Sequence, residues 1–240
     1  MERKLYCFWT GENEIPPIRQ ASIDSMTNSG LKVVLVTPDS LHDYISKKDL
    51  HQSYWNLSVN HRSDYLRAYF MHHFGGGYCD IKRVDASWIE TFEEIEARDT
   101  LFGGGYREIH RHGVANLHQS SQLLEESRAR LALNWVRWRW LQVNFWRVIG
   151  NCAFIFRPNT PFTQLWWAEL NRRLDSLAPA LAANPATELK ERMKTEYRGK
   201  ISQYPVPWAF LQADVMQPLA LRYGRRILRT LPPPDFLNYQ

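Results

Sequence analysis

The segment His61-Arg-Ser-Asp-Tyr-Leu-Arg-Ala-Tyr-Phe-Met-His-His-Phe-Gly-Gly-Gly-Tyr-Cys-Asp-Ile-Lys82 constrains this chain more than any other. Leu66, Tyr69, Phe70 and Phe74 recur at helical spacing, which predicts a helix with one apolar face. Ser63 reads as its N-cap, which would put Asp64 in the first turn, where the helix dipole favours a carboxylate. Asp64 and Arg67 lie three apart on another face, where they can pair or grip one ligand. The alternative is a surface ion pair of little energetic value. Gly75 to Gly77 stop the helix and let the backbone turn steeply. Tyr78 to Ile81 reads as a strand that carries Asp80 to its end. Helix, glycine turn and acid in this order are a common way for an α/β fold to build a site for a phosphorylated ligand.

The flanking pattern supports an α/β fold. Lys4–Trp9 reads as a strand, Pro16-Pro17 opens a helix running to about Asn28, and Gly30 ends it. Residues 31–37 form a second, β-branched strand, and a short helix is predicted near 40–47. Strand and helix alternating at this spacing argue for a doubly wound parallel sheet, whose ligands sit beyond the carboxyl ends of the strands. Trp9, Thr10 and Asp80 would converge there.

The second half is less regular. A second glycine run at 103–105 reads as a strand end leading into a loop. His110, His112 and His118 follow at spacings that fit no familiar metal motif, and they read as solvated. Residues 121–146 read as helix, with Trp135, Trp138, Gln142 and Trp146 on one stripe and Arg137 and Arg147 pointing elsewhere. Two readings fit this stretch. One is a core-facing helix with arginines in solvent. The other is a surface that rests on anionic lipid or holds an acceptor glycan. A buried strand is predicted over 150–157, then a helix to about Asp175 and an Ala/Pro loop over 178–186. A further helix follows Pro205-Val-Pro-Trp208 and runs through Val215, with Pro218 kinking or ending it. The tail from Pro232 is extended and placed to fold over the site.

At 240 residues and 44% hydrophobic, the chain suits one domain, 1–240, with a sizeable core. Within it, 1–119 would bind the phosphorylated ligand and 120–240 would form a helical second part. A net charge of +5 suits a phosphorylated ligand or an anionic surface. Acids nearly balance bases (25 against 30) and no nucleic-acid motif is present, so no nucleic-acid partner is expected. No apolar run approaches the ~20 residues needed to cross a membrane, and the first residues lack a secretory signal. A cytoplasmic location is expected, with peripheral contact at the inner membrane. The three cysteines, Cys7, Cys79 and Cys152, are too scattered for a disulfide framework and read as reduced core residues.

Ser63-Asp64-x-x-Arg67 followed by Gly-Gly-x-Tyr78-x-Asp80 resembles the core of the DxD-type sugar transferases. That group includes fungal initiating mannosyltransferases, bacterial capsule and lipooligosaccharide transferases, and glucosylating toxins. Leu5-Tyr-Cys-Phe-Trp9-Thr-Gly resembles the family's opening strand, and Asn151-Cys-Ala-Phe-Ile-Phe-Arg-Pro-Asn its later strand and turn. The resemblance implies a GT-A-like (Rossmann-like) nucleotide-diphospho-sugar transferase fold with helical additions. It also implies transfer from a nucleotide-diphosphate sugar, UDP preferred and GDP the alternative, to a glycan or glycolipid acceptor in surface polysaccharide synthesis. Trp9 would stack on the base; Thr10, Asp64, Arg67, Gly76, Gly77 and Tyr78 would help hold the donor; Asp80 would begin the metal motif for Mn²⁺ or Mg²⁺. The resemblance further implies retention of configuration, with the leaving phosphate accepting the proton. Asn151 is a candidate for touching the donor sugar, and Tyr204, Trp208 and Asp214 for closing over donor or acceptor.

The chain departs from the family pattern at Lys82, where a second acid is expected. Asp80 and Lys82 would lie on one side of the strand. Three arrangements follow: Lys82 replaces the metal as the diphosphate's counter-charge, or Asp80 alone binds metal with help from Asp85, or the site is degenerate. An exposed strand-end lysine without function is the simpler alternative. Two functions compete accordingly, a glycosyltransferase with Asp80, Lys82 and Asn151 in its catalytic centre, and a non-catalytic relative that binds nucleotide sugar or glycan and assists a partner enzyme.

Overall fold

The computed structural model describes residues 1–124, 126–197 and 199–236. Strand β1 (Lys4–Phe8) alternates its side chains between two cores. Tyr6 and Phe8 enter one, Leu5 and Cys7 the other. Helix α1 (Pro17–Ser25) starts on a proline, passes into a 3-10 turn and ends at Gly30 with φ of 76°. Strand β2 (Lys32–Val36) follows. The helix predicted near 40–47 is only a 3-10 turn, Leu41–Asp43.

Helix α2 (Val59–His73) begins five residues earlier than Ser63 suggested, with Ser58 as the N-cap residue. Ser63 and Asp64 therefore sit inside the helix, and the dipole argument for Asp64 does not hold. The apolar spacing missed this turn because its buried residue is polar: His61 is fully buried. Gly75 (φ 66°) ends the helix, and its N–H donates to the Phe70 carbonyl. Strand β3 (Gly76–Cys79) contains the remaining glycines and stops just before Asp80.

Helix α3 (Ile89–Ala97) leads to β4 (Gly103–Arg107), then α4 (Leu117–Leu123), α5 (Arg128–Val143), β5 (Ile149–Phe156) and α6 (Pro161–Ala183). A two-residue hairpin pairs β6 (Glu196–Tyr197) with β7 (Lys200–Ile201), and α7 (Ala213–Arg222) and β8 (Ile227–Leu228) complete the chain. The second glycine run is strand β4 itself rather than a strand end. A Cβ on Gly103 would meet the Ile155 carbonyl oxygen at 2.3 Å, so glycine is needed there for β4 and β5 to approach.

The 178–186 loop is a correction: α6 runs through Pro179, because Leu177 and Leu181 on either side are buried in the main core. Pro218 likewise lies within α7, which does not end there, and the helix expected to follow Trp208 and run through Val215 begins only at Ala213.

The main sheet has the order β2-β1-β3-β5-β4-β8. Neighbours β1/β2, β1/β3 and β4/β8 are parallel, whereas β5 runs antiparallel to both β3 and β4. The chain is thus a mixed α/β fold, not the all-parallel sheet that the first elements suggested. Strands β5 and β8, from the second half of the chain, enter the same sheet. An aromatic column crosses its centre, with Phe8 and Phe154 each 5.2 Å from Tyr78. Helices α2 and α6 cover this face, while α1 and α3 supply residues to the core on the other.

Gly103→Ala should lower stability by about 1–3 kcal/mol, because the clash is with backbone that cannot step aside. Gly224→Ala, whose nearest contact is the flexible Arg229 side chain at 3.4 Å, should lose far less. Urea unfolding of both variants checks this.

Candidate functional site

Parallel pairing of β1 with β3 aligns Tyr6 with Tyr78, so Trp9, Thr10 and Asp80 all follow the carboxyl end of the sheet. Asp80 continues the strand's alternation onto the Tyr78 face, towards α2. On α2, Ser63, Asp64 and Arg67 share a side at i, i+3 and i+4 spacing. Arg67 joins these elements. Its Nη2 lies 2.8 Å from Asp80 Oδ1, and its Nη1 lies 3.3 Å from Asp64 Oδ1. Nη1 also donates to the Asn151 carbonyl of β5 at 3.2 Å, and the guanidinium sits 4.7 Å over the Tyr78 ring. Asp64 is buried and the Arg67 side chain is only 12% exposed, so the pair is not the surface ion pair weighed above.

Burial drives the electrostatics. It pushes the Asp64 carboxyl up to about 7, with Arg67 partly opposing and Asp80 adding to the rise. Burial also works against the Arg67 charge, but Asp80, Tyr78 and Asp64 outweigh it and hold the guanidinium above its ordinary value. Tyr78 donates its phenolic proton to Asp80 Oδ1 at 2.8 Å and is itself raised, mainly by burial.

Lys82 is 6% exposed, so it is not the exposed strand-end lysine weighed above. Strand β3 ends at Cys79, so Asp80 and Lys82 meet across a turn rather than along a strand. Lys82 Nζ lies 3.8 Å from Asp80 Oδ2 and donates to Cys152 Sγ at 3.1 Å. The Phe236 ring covers it at 4.5 Å, so the tail does fold over the site. Cys152 is half-buried rather than core, and burial raises its thiol to about 12.

A divalent cation does not fit these residues. Asp80 Oδ1 already accepts from Arg67 and Tyr78, and Oδ2 faces the Lys82 ammonium. Asp64 is held by Arg67, and Asp85 is exposed and paired with Arg83. Among the described residues no group of three His, Cys, Asp or Glu could hold a metal. Hard cations need several free oxygen ligands, and here two basic side chains occupy their place.

Beside Arg67 lies a cavity of about 280 Å³, lined by Asn151, Trp208, Asp214 and the 112–116 loop. Asn151 is within β5. Its carbonyl accepts from Arg67 and from Gln212 Nε2 at 3.1 Å, while its Oδ1 is buried with no partner among the described residues. Asp214 Oδ1 is in the same condition. Burial raises the Asp214 carboxyl to about 7, with Arg173 opposing. Two buried acceptors on one cavity wall suit a ligand that brings hydroxyl donors.

The remaining predicted residues lie elsewhere. Tyr204 is buried and does not line the cavity; its hydroxyl accepts from the Ser58 N–H at 3.2 Å and lies 3.0 Å from His61 Nδ1. His61 Nε2 lies 3.0 Å from the Pro207 carbonyl, so this buried trio ties the 204–208 segment to α2. Burial lowers His61 to about 4, which keeps it neutral. No periodicity marked His61. Thr10 Oγ1 donates to the Val59 carbonyl at 2.6 Å, and Trp9 Nε1 donates to the Asn13 carbonyl at 2.7 Å. Trp55, absent from the sequence reading, is exposed beside Thr10, Thr37 and Pro38 at the ends of β1 and β2. Gly76 and Gly77 lie at the opening end of β3, away from Asp80; Gly76 has φ of 96° and Gly77 faces Leu5.

A family model described as "Capsular polysaccharide synthesis protein" matches residues 1–81, a span that holds Asp64, Arg67, Tyr78 and Asp80. The match suggests a role in polysaccharide biosynthesis. No curated protein and no solved structure matches the chain.

The Asp64 shift has a measurable consequence. An acid whose pKa is raised by folding costs stability once the unfolded chain ionises. Wild type should therefore lose stability relative to Asp64→Asn as pH rises from about 4 to about 7. Denaturant unfolding of both proteins at the two ends of that window checks this. A stability difference independent of pH would place the Asp64 carboxyl in a solvated setting.

Proposed function

We propose that this chain is a glycosyltransferase of polysaccharide synthesis that takes its sugar from a nucleotide diphosphate, UDP by preference. The observation that carries the reading is the pair of unpartnered oxygens, Asn151 Oδ1 and Asp214 Oδ1, of two residues that line one cavity, where the Asn151 carbonyl also accepts from Arg67. A cavity of about 280 Å³ with an exposed tryptophan at its wall suits a single sugar ring, whose hydroxyls would satisfy both acceptors.

In transfer, the bond from the anomeric carbon to the phosphate oxygen breaks and its electron pair leaves with the nucleoside diphosphate. The acceptor hydroxyl oxygen bonds to that carbon, and its proton passes to the departing phosphate. Negative charge grows on the leaving group, so the protein must supply a positioned counter-charge. Lys82 is the side chain for this role, a compact cation held by Asp80 and Cys152 at the sheet's carboxyl edge. Asp80 and Arg67 act by positioning. Asn151 would hold the donor sugar, and the exposed Trp55 and Thr10 flank the ground where a base would rest.

Release of nucleotide diphosphate from UDP- and GDP-sugars tests this. Wild type should turn over, and Lys82→Ala and Asn151→Ala should each lose on the order of a hundredfold in rate, assayed well below each variant's melting temperature because Lys82 is a buried partner of Asp80. A wild type that binds nucleotide but never releases product would instead support the non-catalytic, glycan-assisting reading. Unchanged rates in both variants would remove the cluster from the chemistry.

A further inference from the structure

Helix α5 is apolar on two sides. One side packs Leu141, Trp138 and the following Phe145 against Val114, Leu117 and Val148. Leu133, Val136, Trp140 and Val143 recur at helical spacing along another side, and they are 44–68% exposed. Only Leu141 of this helix is fully buried, so α5 is not the core-facing helix of the first reading.

Trp140 also forms the wall of a groove of about 780 Å³ that contains Trp146 and six arginines: Arg107, Arg147, Arg222, Arg225, Arg226 and Arg229. No acidic side chain lines this groove, and none of the six is in an ion pair among the described residues. Arg147 lies 5.8 Å over the Trp140 ring, and Arg226 lies 4.9 Å over Phe102. Burial and the nearby Arg107 and Arg147 charges pull Arg229 below its ordinary value, as expected where like charges crowd together.

We infer that the exposed stripe of α5 and the adjoining arginine groove form a docking surface for an anionic lipid bilayer. The aliphatic residues and Trp140 match the acyl boundary and headgroup level of an interfacial helix, and the arginines match the lipid phosphates. A self-complementary contact between two copies would set arginine groove against arginine groove with no acid to pair. Single-stranded nucleic acid would use the arginines and tryptophans but would leave Leu133, Val136 and Val143 bare. No helix among the described residues is long and apolar enough to cross a membrane, so this contact is peripheral.

Flotation of the full chain with vesicles tests the inference, and it needs neither donor nor turnover. The protein should float with equimolar phosphatidylcholine and phosphatidylglycerol and stay behind with phosphatidylcholine alone. Each arginine at an anionic surface is worth about fivefold in partition, so Arg225→Ala/Arg226→Ala should bind about 25-fold more weakly. Val143→Asp should abolish flotation, and its 68% exposure predicts an unchanged melting temperature. Lys82→Ala should float like wild type whatever its activity, which separates this surface from the proposed site. The inference is overturned by absence of flotation on anionic vesicles or by flotation indifferent to these substitutions. It is equally overturned by tighter binding to an oligonucleotide than to vesicles, or by a dimer in light scattering that Val143→Asp dissociates.

Discussion

The site depends on one buried guanidinium. Arg67 reaches from α2 to Asp80 at the end of β3 and to the Asn151 carbonyl in β5, and it rests on Tyr78. Helix α2, the end of the adjacent β3 and the distant β5 are thus held by a single side chain that cannot be deprotonated. Removing one partner from such a buried pair typically costs about 3–5 kcal/mol, because the remaining charge stays out of water. The same arrangement decides what Asp80 can do. An acid committed to Arg67 and Tyr78, with Lys82 at its other oxygen, orders positive charge instead of gathering a cation.

Several features were legible in the sequence because they rest on local rules. The glycine after α2 has the positive φ that glycine supplies cheaply, and the acid after β3 stands at the carboxyl edge as strand order implies. Asp64 and Arg67 share a face because helical geometry requires it. The start of α2 was misread because its first turn buries a histidine, which no apolar count registers. The continuation of α6 through Pro179 was misread for the opposite reason: tertiary burial of Leu177 and Leu181 overrides a local breaker. The insertion of antiparallel β5 between β3 and β4 joins residues some forty to eighty positions apart, and no short-range pattern encodes it. With β5 come Asn151 and Cys152, so half of the site could not be assembled from the 61–82 segment alone.

Lys82 illustrates how context changes a residue's meaning. In sequence it is a departure from a motif; in the fold it is a nearly buried cation among a carboxylate, a thiol and an aromatic ring. The arginine groove and bare α5 stripe, drawn mostly from the second half of the chain, would serve the proposed attachment through charge and apolar contact.

The central proposal is that Lys82, positioned by Asp80 and Arg67, supplies the counter-charge for a bound diphosphate without a metal. Isothermal titration of UDP and GDP in the presence of a chelator tests it most directly. The account predicts saturable binding of one nucleotide diphosphate without metal, with affinity unchanged on adding Mn²⁺. Binding that appears only with Mn²⁺ would contradict it, and so would no binding under either condition.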